Sequence, residues 1–79
     1  MTVLYFAQAR RIAGVASENL PVTTPLSADQ LWHEILQRHP DLALLHPVIR
    51  LARNGAFAAA DTLFHPGDEI ALIPPVSGG

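Results

Sequence analysis

The sequence contains no cysteine, and its five basic residues include no lysine. Without cysteine there is no disulfide framework, no thiolate nucleophile and no zinc site built on sulfur. The five cations, Arg10, Arg11, Arg38, Arg50 and Arg53, are too few and too scattered for a nucleic-acid footprint, and no nucleic-acid partner is expected. No apolar run approaches the roughly 18 residues that a membrane span requires. The opening Met-Thr-Val-Leu-Tyr-Phe lacks a basic segment and reads as a strand and not a signal peptide, so the expected location is the cytoplasm.

What is present is a short chain with a large apolar share. Its 79 residues form one domain, and 49% of them are hydrophobic. A domain of this size buries only about 60–65% of its unfolded surface. Its stability is expected on the order of 4–12 kcal/mol, so the core must do what disulfides or metals do in other small folds.

The chain is organised around its last stretch, Asp68 to Gly79. Glu69 to Ile73 is a buried strand by its apolar Ile-Ala-Leu-Ile run. Pro74 and Pro75 lack backbone N–H groups, so sheet pairing stops there and the exit stays stiff and extended. Gly78 and Gly79 carry no Cβ and make the narrowest peptide available, one able to enter a channel that admits backbone alone. Two glycines alone would read as a frayed terminus. Two glycines on a stiff stalk at the end of a buried strand read as a presented carboxylate. The domain is accordingly drawn as residues 1–75, with a flexible C-terminal tail over 76–79.

From the start, Thr2 to Ala7 is an apolar first strand. Gln8 to Gly14 is a short polar connection with Ile12 as its anchor. Ser17 to Val22 is a weaker second strand, with Pro21 marking its edge or end. Ser27 opens the main helix, since Ser27 and Gln30 have capping-box spacing. Ala28, Leu31, Trp32, Ile35, Leu36 and His39 fall within an arc of about 140°, so one face of this helix is apolar. Pro40 ends it. Asp41 to His46 forms a further turn, with Leu42, Leu44 and Leu45 directed to the core. Val48 to Arg53 alternates as a third strand, Asn54-Gly55 is a type I′ hairpin signal, and Phe57 to Ala60 is a short fourth strand. His65-Pro66-Gly67-Asp68 has the chemistry of a type II turn and delivers the chain into the last strand.

Catalytic constellations are absent. The histidines show no i, i+4 spacing for a metal, Asp68 and Glu69 are adjacent and point to opposite faces of a strand, and no serine has nucleophile-elbow context. Lone acidic and histidine side chains read as solvated surface. Neither a metal nor a cofactor is expected.

The order β-β-α-β-(β)-β outlines an α+β, β-grasp (ubiquitin-like) fold: a mixed sheet of four to five strands with one main helix packed on one face. Strands one and five belong at its centre. Both are apolar at both parities, Val3 and Tyr5 against Leu4 and Phe6, Ile70 and Leu72 against Ala71 and Ile73. One helix covers one face only, so Phe6, Ile73 and Phe57 are expected on an exposed partner surface.

Phe6-Ala-Gln-Ala-Arg10, Gly14, the Asn54-Gly55 hairpin, Gly67-Asp68-Glu69 and Ile73-Pro-Pro-Val-Ser-Gly-Gly79 together resemble the small subunit of molybdopterin synthase, a ubiquitin-like sulfur carrier. The resemblance spans essentially the whole chain, and its most specific part is the ending. It implies that the Gly79 carboxylate is adenylated and converted to a thiocarboxylate. It also implies that Pro75, Val76, Ser77 and Gly78 enter the large subunit with it, and that Phe6, Phe57 and Ile73 dock on partners. The implied partners are the large subunit, in a heterotetramer, an ATP-dependent adenylating enzyme and a sulfur donor protein; no membrane is involved. The protein would be a sulfur-donating subunit, not catalytic alone. Position 11, usually acidic in that family, is Arg11, and Ile73 is often aromatic there. A sulfur carrier for thiazole synthesis and a ubiquitin-like protein modifier are the alternatives.

Overall fold

A computed structural model describes residues 1–75. Its elements are β1 (Thr2–Tyr5), α1 (Ala7–Ala13), β2 (Ser17–Asn19), α2 (Ala28–Arg38), two 3₁₀ turns (Pro40–Leu44 and His46–Val48), β3 (Arg50–Arg53), β4 (Ala56–Phe57) and β5 (Glu69–Ile73). The five strands form one sheet in the order β2-β1-β5-β3-β4. β1 and β5 pair in parallel at its centre and every other pairing is antiparallel. The two most apolar strands thus occupy the positions that no edge could offer them.

The local signals set the local structure. The Gln30 N–H donates to Ser27 Oγ at 3.2 Å and the Ser27 N–H donates to Gln30 Oε1 at 2.9 Å, a complete capping box. Leu31, Trp32 and Ile35 are buried on the apolar face of α2. Asn54 and Gly55 have φ of 50° and 88°, which close the two-residue β3–β4 hairpin. Gly67 at φ 96° turns the chain into β5, and the Asp68 N–H donates to the His65 carbonyl at 3.0 Å.

The core lies between the sheet and α2. Val3, Tyr5, Ile70 and Leu72 from the central strands pack with Leu31, Trp32, Ile35, Leu42 and Phe64. Leu20 closes it beyond the short β2.

Several expectations need correction. Residues 8–14 are not a connecting loop but most of α1, which packs Ala9 inward while Ile12 stays exposed. β1 ends at Tyr5, because Phe6 is the last extended residue and Ala7 adopts φ 48°. For a residue with a Cβ, that conformation costs on the order of 1–2 kcal/mol and is held by its surroundings. Of the three leucines directed at the core, Leu42 is buried and Leu45 half-buried, whereas Leu44 is 83% exposed, since a tight 3₁₀ turn presents a single inward position. β3 begins only at Arg50, because Pro47 holds His46–Val48 in the second 3₁₀ turn. β4 is limited to Ala56–Phe57.

Two polar clusters also depart from the reading of isolated solvated side chains. Glu18 is half-buried and joins three elements: it accepts hydrogen bonds from the Tyr5 hydroxyl and from His39 Nε2, the latter at 2.7 Å, with Arg38 Nη1 3.8 Å away. Burial pushes the Glu18 carboxyl up, but the Tyr5 and His39 hydrogen bonds and the nearby cations outweigh it and hold its pKa below the usual range. Burial first, and then the Glu18 partner, pushes the Tyr5 hydroxyl above its ordinary value.

Asp68 is the second case. It is 8% exposed and accepts from the His65 N–H at 2.8 Å, Arg53 Nε at 2.7 Å and Asn54 Nδ2 at 3.1 Å. Asn54 Oδ1 in turn accepts from the Glu69 N–H at 2.9 Å, so the hairpin and the turn before β5 are tied together. The backbone hydrogen bond from His65, then the Asn54 and Arg53 side chains, lower the Asp68 pKa to about 2. A carboxyl depressed in the folded state stabilises above its unfolded pKa and loses that contribution as pH falls through the folded one. Asp68→Ala is therefore expected to lower the melting temperature by several degrees at neutral pH. The gap from the unmodified chain should close between about pH 4 and pH 2. Thermal unfolding followed by circular dichroism across that range checks this, and a gap independent of pH would rule out the charge as its source.

Candidate functional site

The two faces of the sheet are set by register. On the α2 side, Val3 pairs with Ile70, and Tyr5 with Leu72 and then Leu51. On the opposite side, Leu4 pairs with Ala71, Ala71 with Ala52, and Ala52 with Phe57, so one row of apolar side chains crosses four strands. Ile73 lies one step further along this face and pairs with Arg50.

The three residues expected to meet a partner come together here. Phe57 is 54% exposed on β4 and Ile73 is half-buried on β5. Phe6 is 47% exposed and lies one residue beyond the Tyr5–Leu72 pair, level with Ile73. Phe6 and Ile73 stand at the end of the face from which the chain leaves β5, and Phe57, level with Ala71, stands nearer its middle. The packing of α2 explains this, since it consumes the other parity and leaves this one uncovered.

The exit from β5 is anchored. Pro74 is buried and Pro75 exposed, so the stalk is fixed at its first proline beside the apolar face. The expected tail residues Val76, Ser77, Gly78 and Gly79 lie outside the described residues.

Sequence reasoning missed Arg50. Its guanidinium carbon sits 3.7 Å from the centroid of the Phe57 ring, a cation–π contact inside the apolar face. The alternation of Val48, Arg50 and Ala52 placed Arg50 on one face of the strand, but no sequence signal related it to Phe57 across the hairpin.

Concave features do not compete with this face. An open groove of about 490 Å³ lies beside α1, with Arg10, Arg11 and Val15 in its lining. A second of about 200 Å³ lies between the Leu20–Leu26 segment and Glu34 and Arg38 of α2. Neither encloses a drug-sized ligand or gathers convergent acid–base groups. Among the described residues, no group of three or more histidine, aspartate and glutamate side chains could hold a metal, and no helix is long and apolar enough to cross a membrane.

A parallel β1–β5 pair at the centre of a five-stranded mixed sheet, with a main helix on one face and apolar side chains on the other, defines a ubiquitin-like β-grasp domain. Residues 3–79 match the ThiS family, and the chain belongs to it. It is 48% identical to the human molybdopterin synthase sulfur carrier subunit, over 98% of this chain and 91% of that one. Among solved structures it resembles SAMP1 from Haloferax volcanii, with a TM-score of 0.84, 29% identity, and coverage of 99% of this chain and 97% of the other. It also resembles a chain in the complex of subunits 1 and 2 of molybdopterin-converting factor from Helicobacter pylori, with a TM-score of 0.68, 25% identity, and coverage of 99% and 96%.

Proposed function

We propose that this protein is the sulfur-carrying subunit of a molybdopterin synthase and that its working group is the α-carboxylate of Gly79. The observation that carries the reading is the 48% identity to the human sulfur carrier subunit over 98% of this chain. The fold supports it, because the strand that ends in Pro74-Pro75 is central and buried and leaves the sheet beside an uncovered apolar face.

The chemistry follows from what a carboxylate lacks. Its oxygen is a poor leaving group, so direct attack by sulfur does not proceed. In the proposed sequence an adenylating enzyme lets the Gly79 carboxylate attack the α-phosphorus of ATP, releasing pyrophosphate and forming an acyl-adenylate. The outer sulfur of a persulfide on a donor protein then displaces AMP, and a thiol reduces the S–S bond of the resulting acyl disulfide, leaving –C(=O)S⁻ on Gly79 and a disulfide between the donor and the reducing thiol. This stores nucleophilic sulfur without a cysteine, consistent with a chain that has none. The large subunit receives the tail, with Pro75 to Gly78 threading its channel and Phe6, Phe57 and Ile73 docking outside it, and the sulfur is used for the dithiolene of molybdopterin. The protein's own side chains position the tail and do not catalyse.

The test is the intact mass of the protein after incubation with ATP, an adenylating enzyme and a sulfur donor. One oxygen is expected to be exchanged for sulfur in the C-terminal peptide, and the product should support molybdopterin formation with the large subunit. No such shift, or a shift elsewhere in the chain, would end this reading.

The likeness to SAMP1, the small archaeal modifier protein 1, favours a second reading in which the activated carboxyl meets a lysine of another protein. Without lysine, this chain cannot form lysine-linked polymers of itself and would act only as a single tag. Isolation of conjugates from the host distinguishes the two.

A further inference from the structure

The net charge of −2 conceals a separation of charge. Glu18, Asp29, Glu34 and Asp41 lie on β2, α2 and the turn after it, accompanied there by a single arginine, Arg38, which is drawn toward Glu18. Arg53 is paired with Asp68, and Asp61 is exposed in the segment between β4 and β5. The remaining cations, Arg10, Arg11 and Arg50, are exposed and have no carboxylate at ion-pair distance among the described residues. All three are placed toward the tail. Arg10 and Arg11 lie in the last turn of α1, which follows Phe6 and touches both β1 and β5, and Arg50 pairs with Ile73. Glu69 stands at the other end of β5. An acidic molecule therefore gathers three exposed cations at the end of the sheet from which the tail leaves, with Arg50 on the uncovered apolar face.

Arg50 shows how such a rim is built. Stacked on Phe57, its guanidinium is held within the apolar patch and needs less ordering when a partner arrives. Its planar fork suits a carboxylate in two-point contact. The choice of arginine throughout has a chemical reason as well. A lysine amine beside an activated acyl group would attack it and form an amide, displacing AMP, and the carrier would be lost. A guanidinium stays protonated and supplies charge without a nucleophile.

We propose that Arg10, Arg11 and Arg50 form a steering and register surface, and that the molybdopterin synthase large subunit that docks on this face carries carboxylates opposite them. This rests on the function proposed above. Complementary charges raise the encounter rate and fix orientation, whereas the apolar centre governs how long the complex lasts.

The test uses the full-length protein and the purified large subunit from the same organism, with association rates measured at about 50 mM and about 500 mM salt, where screening lengths differ more than threefold. The triple variant R10E/R11E/R50E is expected to associate at least ~10-fold more slowly at low salt, and within ~3-fold of the unmodified chain at high salt. Arg50→Gln alone should shorten the lifetime of the complex, because it removes the one cation seated inside the apolar patch. Asp29→Arg with Glu34→Arg, on α2, should leave the low-salt rate unslowed. Circular dichroism establishes that each variant is folded. Equal low-salt rates for the triple variant and the unmodified chain would overturn the proposal while leaving the carrier function intact. Failure of the unmodified chain to bind the large subunit at either salt would overturn both.

Discussion

Deleting Gly78 and Gly79 is expected to abolish sulfur transfer and leave thermal unfolding almost unchanged. The reason is a division of labour along the last strand. Ile70 and Leu72 are fully buried and belong to the core, Pro74 is buried at the exit, and pairing in the sheet ends at Ile73. Gly78 and Gly79 follow the last paired residue by five and six positions, so their loss is expected to subtract little from stability. Under the proposed function their chemical contribution is total, because the carboxylate to be activated would be that of Gly79. Gly78→Val tests slimness separately from reactivity. It keeps the terminal carboxylate and adds a branched Cβ, which the proposed channel, fitted to bare backbone, would exclude. The expected result is a folded protein whose thiocarboxylate formation or transfer falls to background. Intact mass and a molybdopterin assay with the large subunit give the two readouts. A truncated chain that still supported synthesis would remove Gly79 from the mechanism.

The second large effect separates the two faces of β5. Ile70→Asp should unfold the domain. The side chain is 0% exposed among core residues, and truncating a buried isoleucine alone costs about 2–5 kcal/mol. An unpaired carboxylate in that position adds several kcal/mol more, which brings the loss to the order of the whole stability expected of a domain this small. Ile73→Asp, three residues later, should fold. Ile73 is half-buried on the opposite face and its cross-strand neighbour is Arg50, which would give the new carboxylate a pairing worth about 0.2–1 kcal/mol. Binding is another matter. A charge at the centre of a desolvated patch costs at least ~2 kcal/mol, or about a 30-fold loss of affinity for the large subunit. Thermal unfolding and a titration of each variant against the large subunit check the pair. Two variants equally folded and equally able to bind would mean that the faces of β5 are assigned the wrong way round.

The sequence by itself determined the features whose causes lie within a few residues of one another. The capping box at Ser27 and Gln30, the positive φ of Asn54 and Gly55 and the turn at Gly67 are each settled by contacts no more than three residues apart. The central placement of β1 and β5 was also legible, because strands apolar at both parities have nowhere else to go. From the same argument, with a single helix to cover the sheet, came the exposed face of Phe6, Phe57 and Ile73. Only the tertiary structure decided what depends on distant partners. α1 has no side-chain cap, buries Ala9 alone and starts from a strained Ala7, so its helical state follows from packing against β1, β5 and the Pro40–Leu44 turn. Asp68 looks like a surface carboxylate until Arg53 and Asn54, 15 and 14 residues away, are brought to it. Glu18 needs Tyr5 from β1 and His39 from the end of α2. Arg50 reaches the Phe57 ring only once the hairpin has set the register of β3 and β4. Short-range preferences are written one turn at a time, whereas a contact between strands exists only after the whole sheet has chosen its alignment.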